Sequence, residues 1–148
     1  MKLYIDADAC PVKDEALRVA ERHKVNVIYV SDGGIRPNPH PLVEVVVVTQ
    51  GADAADDWIV ERIEPGDICV TGDIPLAHRC VTAGARAMKH DGSLFTAANI
   101  GEALAMRDLM TDLRAANPLR QGGGGRPYSK ADRSRFLEAL EREMRRRL

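Results

Sequence analysis

Over the first ninety residues, short apolar runs of strand length alternate with segments whose apolar residues recur at helical spacing, and few architectures accept that alternation. Lys2-Leu-Tyr-Ile5 reads as a buried strand that stops at Asp6. Asp8-Ala-Cys-Pro11 then supplies a turn and a proline suited to the first position of a helix near 11–23. In that helix Val12, Ala16, Val19 and Ala20 share one face, and Lys13, Glu15, Arg18 and Arg22 point outward. Val25 to Val30 is a second strand, closed by Ser31-Asp-Gly-Gly34. Prolines at 37, 39 and 41 exclude regular structure in the next stretch. Leu42 to Thr49 is the third strand, and its run of valines predicts a central position covered on both faces. A helix over 52–63 is stopped by Pro65-Gly66. The fourth strand, Asp67 to Val70, ends at Thr71-Gly-Asp73; a short helix through Leu76 to Thr82 and a short fifth strand, Ala85 to Met88, follow. The pattern calls for an α/β domain on a doubly wound parallel sheet of four to five strands, with nearly always right-handed crossovers.

At 148 residues and 45% apolar composition the chain is long enough to bury a core without metal or disulfide staples. The α/β domain is expected over 1–118, including a helix near 97–115 capped by Thr96. Residues 119–128 form a Gly-rich linker that lacks the Lys-Ser/Thr ending and strand context of a phosphate loop. Residues 129–148 form a basic amphipathic helix, capped by Ser129, with Phe136, Leu137, Leu140 and Met144 on its apolar stripe. No apolar run approaches the roughly 20 residues of a membrane span, and Met1-Lys2 leads straight into a strand with no signal-peptide pattern. A cytoplasmic protein without a membrane partner is the expectation. Cys10, Cys69 and Cys80 are an odd number without zinc-knuckle spacing, which fits reduced thiols. Cys69 reads as a buried strand residue; Cys10 either packs a turn or is reactive at a helix start.

Charge is unevenly divided. Residues 1–113 hold 11 Lys and Arg against 18 Asp and Glu, whereas residues 114–148 hold 10 against 4. An acidic body with a basic tail is suited either to polyanions or to packing the tail on the body.

In an open α/β sheet, ligands bind beyond the carboxyl ends of the strands near the switch in strand order. Asp6, Ser31-Asp32, Thr49-Gln50 and Thr71-Gly-Asp73 are therefore expected on one rim. Asp6-Ala-Asp8 puts two carboxylates where a strand stops; Asp73 is the natural partner, and Asp53 with Asp56-Asp57 is a third acidic cluster. Mg²⁺ and Mn²⁺ take such hard oxygen ligands, usually one or two carboxylates with several waters. Each aspartate alone reads equally as a helix cap or turn former. As a set they repel one another, and a cation relieves that repulsion. Thr71 and Ser31 are candidate orienting hydroxyls, His78 and His90 candidate proton carriers, Arg79 a candidate phosphate contact, and Trp58 a core residue.

The segments Asp6-Ala-Asp-Ala-Cys-Pro-Val-Lys13, Asp53-Ala-Ala-Asp-Asp-Trp-Ile59, Thr71-Gly-Asp-Ile-Pro-Leu-Ala77, Asn99-Ile-Gly101 and Met106-Arg-Asp-Leu-Met110, in that order, resemble the YaiI/YqxD family over nearly the whole chain. Tyr128-Ser-Lys-Ala-Asp-Arg133 with Phe136 looks like its closing segment. The resemblance implies a PIN-like three-layer fold with C-terminal helices. In PIN-like and related NYN nucleases, acidic residues after the first strand, in a middle helix and after the fourth strand hold Mg²⁺ or Mn²⁺ and activate water. By that resemblance Asp6, Asp57 and Asp73 are the catalytic residues and, with Asp8, the metal ligands. Asp56 is an alternative to Asp57, and Asp91 is a candidate fourth ligand.

The implied function is metal-dependent hydrolysis of phosphodiesters, in RNA above all, with Arg133, Arg142, Arg145 and Arg146 of the tail holding the nucleic-acid backbone. Two alternatives stand beside it. One is a nucleic-acid- or protein-binding module that keeps the scaffold without catalysis. The other is a haloacid-dehalogenase-type phosphatase, suggested by Ile5-Asp-Ala-Asp8 but opposed by Ala77, which stands four residues after Asp73 where that type carries an aspartate.

Overall fold

The computed structural model describes residues 1–8, 10–49, 51, 53–116 and 127–146. Gln50 and most of the Gly-rich linker lie outside the described residues. The chain alternates as expected: β1 (Lys2–Asp6), α1 (Lys13–His23), β2 (Asn26–Ser31), β3 (Val43–Val47), α2 (Ala54–Arg62), β4 (Ile68–Val70), α3 (Ile74–Thr82) and β5 (Arg86–Met88). Beyond these come β6 (Leu94–Phe95), α4 (Ile100–Ala116) and α5 (Lys130–Arg145). The sheet runs in the order β3-β2-β1-β4-β5-β6. Its first five strands are parallel, and β6 adds an antiparallel edge through Ala87 opposite Phe95.

Side chains alternate across the sheet with the strand period of two, which makes three layers. Leu3 and Ile5 of β1, Val27 and Tyr29 of β2, and Ile68 and Val70 of β4 join α1 and α5 in one core cluster. Tyr4, Ile28, Val30 and Cys69 point the other way, into a cluster with α2, α3 and the start of α4.

Two expectations fail. Glu15, read as pointing outward from α1, is buried at 8% exposure and takes Arg133 of α5 at 3.2 Å. The valine run is β3, at an edge of the sheet and not its centre. Every residue of β3 is partly or fully exposed, and Val47 is 53% exposed. β-branched side chains favour an extended backbone wherever it lies, whereas strand order is set by the crossovers, so valine content reports strand and not position. Glu44 on β3 and prolines 39 and 41 before it blunt the edge against pairing with another chain.

Helix boundaries move for local reasons. α1 begins after Pro11, because Val12 serves as N-cap. Thr96 and Asn99 form a reciprocal pair in the turn before α4, in which each side chain accepts from the other's backbone N–H, at 3.2 and 2.8 Å, and the helix itself starts at Ile100, later than expected. Ser129 caps α5 in a reciprocal box with Asp132. The stripe read from the sequence is what docks α5: Phe136, Leu140 and Met144 are fully buried in the cluster that holds Ala16, Val19 and Ala20 of α1. Among the described residues, no helix is long and apolar enough to cross a membrane.

Candidate functional site at the carboxyl ends of the strands

The strand order reverses between β1 and β4: from β1 the chain winds outward through β2 to β3, then returns to add β4 and β5 on the other side. The crevice at such a reversal is where the carboxyl ends of two neighbouring strands open to a ligand. Asp6 ends β1 here, and Thr71-Gly-Asp73 follows β4.

Thr71 joins the two. It is fully buried; its hydroxyl donates to Asp6 Oδ2 at 2.9 Å and accepts from the Asp73 N–H at 2.9 Å. The Asp73 carboxylate is the N-cap of α3, accepting from Leu76 N–H at 3.1 Å through Oδ1. The second oxygen of each carboxylate, Asp6 Oδ1 and Asp73 Oδ2, accepts from no described donor.

α2 brings a third carboxylate, and it is Asp56. Burial raises the Asp56 carboxyl to about 6, and the negative charges of Asp73, Asp6 and Asp53 push it the same way. Burial also raises Asp6 against the hydrogen bond from Thr71, with Asp73, Asp8 and Asp32 adding to the rise. Each group resists ionisation because it leaves water in the company of like charges. Asp57, expected in this role, is instead 53% exposed and paired with Arg79 at 2.8 Å. Asp8 stands on the same rim with both oxygens engaged, Oδ1 by the Ser31 hydroxyl at 2.8 Å and Oδ2 by the Asp32 N–H at 3.1 Å, so it braces the loop after β2.

Other candidates lie elsewhere. Asp91 sits in the β5–β6 turn, accepting from Ser93 N–H at 2.9 Å. Trp58 packs at the edge of the core, with Arg62 stacked 4.1 Å from its ring centre. Cys10 is buried, its thiol raised to about 11 by desolvation, and Cys69 lies fully buried beside Cys80; neither is placed as a nucleophile. Burial lowers His90; its ring lies against Gly72, with Nε2 buried and without a partner among the described residues.

The basic tail does not reach the rim as a unit. α5 runs away from it: near its start the Arg135 backbone carbonyl abuts Gly92 after β5, and near its end Glu143 receives Arg86 from the beginning of β5. Arg133 pairs with Glu15 at 3.2 Å, Arg145 with Glu141 at 3.5 Å and Arg146 with Glu143 at 3.4 Å. Arg142, Arg145 and Arg146 are thus at the edge opposite Asp6.

As their side chains stand, no three His, Cys, Asp or Glu residues among the described residues form a group able to hold a metal ion. What the rim presents is a set of hard oxygen donors whose like charge is only partly relieved, by the Thr71 hydroxyl at Asp6 and by Arg79 near Asp56.

Fold and rim together define a doubly wound α/β protein with acidic residues at its topological switch point. The chain belongs to the YaiI/YqxD family: the family model described as uncharacterized BCR, YaiI/YqxD family matches residues 4–146. It is 64% identical over 143 residues to a UPF0178 protein of Ruegeria pomeroyi, covering 97% of this chain and 93% of that one. It is 62% identical to a UPF0178 protein of Roseobacter denitrificans (97% and 94% covered) and 57% identical to one of Rhodopseudomonas palustris (98% and 90% covered). No solved structure matches the chain.

Proposed function

We propose that this protein is a metal-dependent nuclease that hydrolyses phosphodiester bonds in RNA. The observation that carries this reading is the placement of Asp6, Asp56 and Asp73 at the switch point, where burial, reinforced by the neighbouring carboxylates, raises Asp6 and Asp56. The donor set is all carboxylate oxygen, which suits hard cations such as Mg²⁺ or Mn²⁺. Asp6 and Asp73, tied through Thr71, are the residues that would hold it. A bound divalent cation supplies charge neutralisation at a phosphoryl oxygen and a lowered pKa for water.

The chain's own residues supply the rest. Thr71 fixes the direction of the Asp6 carboxylate and, through the Asp73 N–H, the start of α3. Asp56, titrating at about 6, is poised to orient a water and take its proton near neutral pH. Arg79 holds Asp57 to the outside of α2, away from that role.

Purified protein is expected to cleave single-stranded RNA in the presence of Mn²⁺, and Asp6→Asn to lower the rate at least a hundredfold. Equal trace cleavage by both proteins would mark contamination and overturn the reading. The structural work of the same carboxylates, Asp6 on Thr71 and Asp73 capping α3, favours a second reading, a nucleic-acid-binding module without catalysis. RNA binding indifferent to chelator and to Asp73→Asn, with no cleavage over long incubation, would decide for it.

A further inference from the structure

We propose that the cleft between the start of α1 and residues 34–38 is a phosphate subsite for single-stranded nucleic acid, with Lys13 and Arg36 as its cations. The proposal takes the kind of ligand from the nuclease reading and the place from the cleft itself. An acidic crevice on a body with 18 acidic against 11 basic residues repels a polyanion. A nuclease built this way needs cations close by, and those at the end of α5 are on the far edge of the sheet.

The cleft encloses about 400 Å³, within the range of roughly 300–1,000 Å³ in which small ligands bind and large enough for one nucleotide unit. Lys13, Asp14, Tyr29, Gly34 and Arg36 are among its lining residues, so two cations face one anion. Among the described residues neither Lys13 nor Arg36 is in an ion pair, whereas Arg79, Arg86 and Arg133 are each held by a carboxylate. A cation left unpaired beside a cavity keeps its charge for a ligand.

The backbone is prepared for close approach. Tyr29 hydroxyl donates to the Lys13 carbonyl at 2.9 Å and fixes the first turn of α1 against β2. Gly34 has φ +75°, and a Cβ there would meet nothing within 4 Å, so a ligand can reach the chain itself. The N–H groups of Gly34, Ile35 and Arg36 donate to no acceptor among the described residues. The cleft also shares the rim with the acidic site: Asp8, two residues beyond Asp6, is bound by Ser31 and Asp32, which lead into Gly34. Asp56 and Asp73 lie on the other side of β1, with α2 and α3. A strand crossing the rim would place one phosphate at the carboxylates and another at Lys13 and Arg36.

The test is fluorescence anisotropy with a labelled oligouridylate in EDTA, so that binding is read without cleavage. Lys13→Gln with Arg36→Gln is expected to raise Kd about tenfold and to make the slope of log Kd against log salt shallower by roughly 0.7 for each phosphate no longer neutralised. Lys13→Arg should retain binding, and Arg142→Gln with Arg145→Gln should change Kd less than twofold. An unchanged melting temperature shows that the double variant is folded. The subsite is overturned if the double variant binds within twofold of wild type, or if wild type does not bind. Cleavage with Mn²⁺, measured separately, keeps the two claims apart. Binding that depends on Lys13 and Arg36 without cleavage sinks the nuclease and keeps the subsite; cleavage with binding indifferent to them does the reverse.

Discussion

Asp56 shows what a single carboxyl contributes to this molecule. In the unfolded chain it titrates near an ordinary ~3.9; in the folded chain burial, with Asp73, Asp6 and Asp53 beside it, raises it to about 6. A folded-state pKa above the unfolded one means that the native state holds the proton more tightly. The cost is therefore absent below about pH 4, where both states are protonated, and complete above about pH 6, where both are ionised. Asp56→Asn should stabilise the protein at pH 7 by about 1 kcal/mol after discounting for solvent screening, or about 3 °C in Tm, with no gain at pH 3.5. Melting at the two pH values checks this; equal gains at both would show that charge is not the cause. The choice of Asp56 over Asp57 follows from helix phase. Ala55 and Ile59 are the buried residues of α2, and at about 100° per residue they put Asp56 beside the core-facing stripe and Asp57 nearly opposite it. Two adjacent aspartates without a known helix phase give no such preference. Thr71 is legible as a hydroxyl at a strand end, but its bridge between Asp6 and Asp73 depends on β1 and β4 being neighbours, which no local pattern encodes.

At the scale of elements, the alternation of strand and helix periods is readable because each parallel strand must be followed by a crossover, and each crossover helix has one apolar face. The place of β3 is not, since a valine-rich segment is equally extended at an edge or in the middle. β6 escapes a reading of the sequence because Leu94 and Phe95 give too short a run to show any period. α5 is legible in its stripe and its Ser129 cap, while its charges allow two fates. α5 docks on α1, where Arg133 meets Glu15 and Glu141 meets Arg22 and His23. That docking is strong enough to matter for the whole core. Phe136→Ala, which empties a fully buried aromatic site between α5 and the sheet, should lower unfolding free energy by about 3–5 kcal/mol in urea titration. A loss below about 1 kcal/mol would mean that α5 is only loosely attached.

For the molecule as a whole, strand order does the positioning. The β3-β2-β1-β4-β5-β6 order makes β1 and β4 neighbours with helices departing to opposite faces, so Asp6 and Asp73 meet at a crevice although 67 positions separate them. α2 returns the chain across one face and delivers Asp56 to the same place. The acidic rim thus follows from topology, and its mutual repulsion is the physical reason to expect a divalent cation there. The measurement closest to that claim is the anomalous density of a crystal soaked in Mn²⁺. A peak is expected where β1 and β4 end, within about 2.0–2.4 Å of carboxylate oxygens from Asp6 and Asp73, and lost in Asp6→Asn. No peak there, with Asp6 still on Thr71 and Asp73 still capping α3, would contradict it.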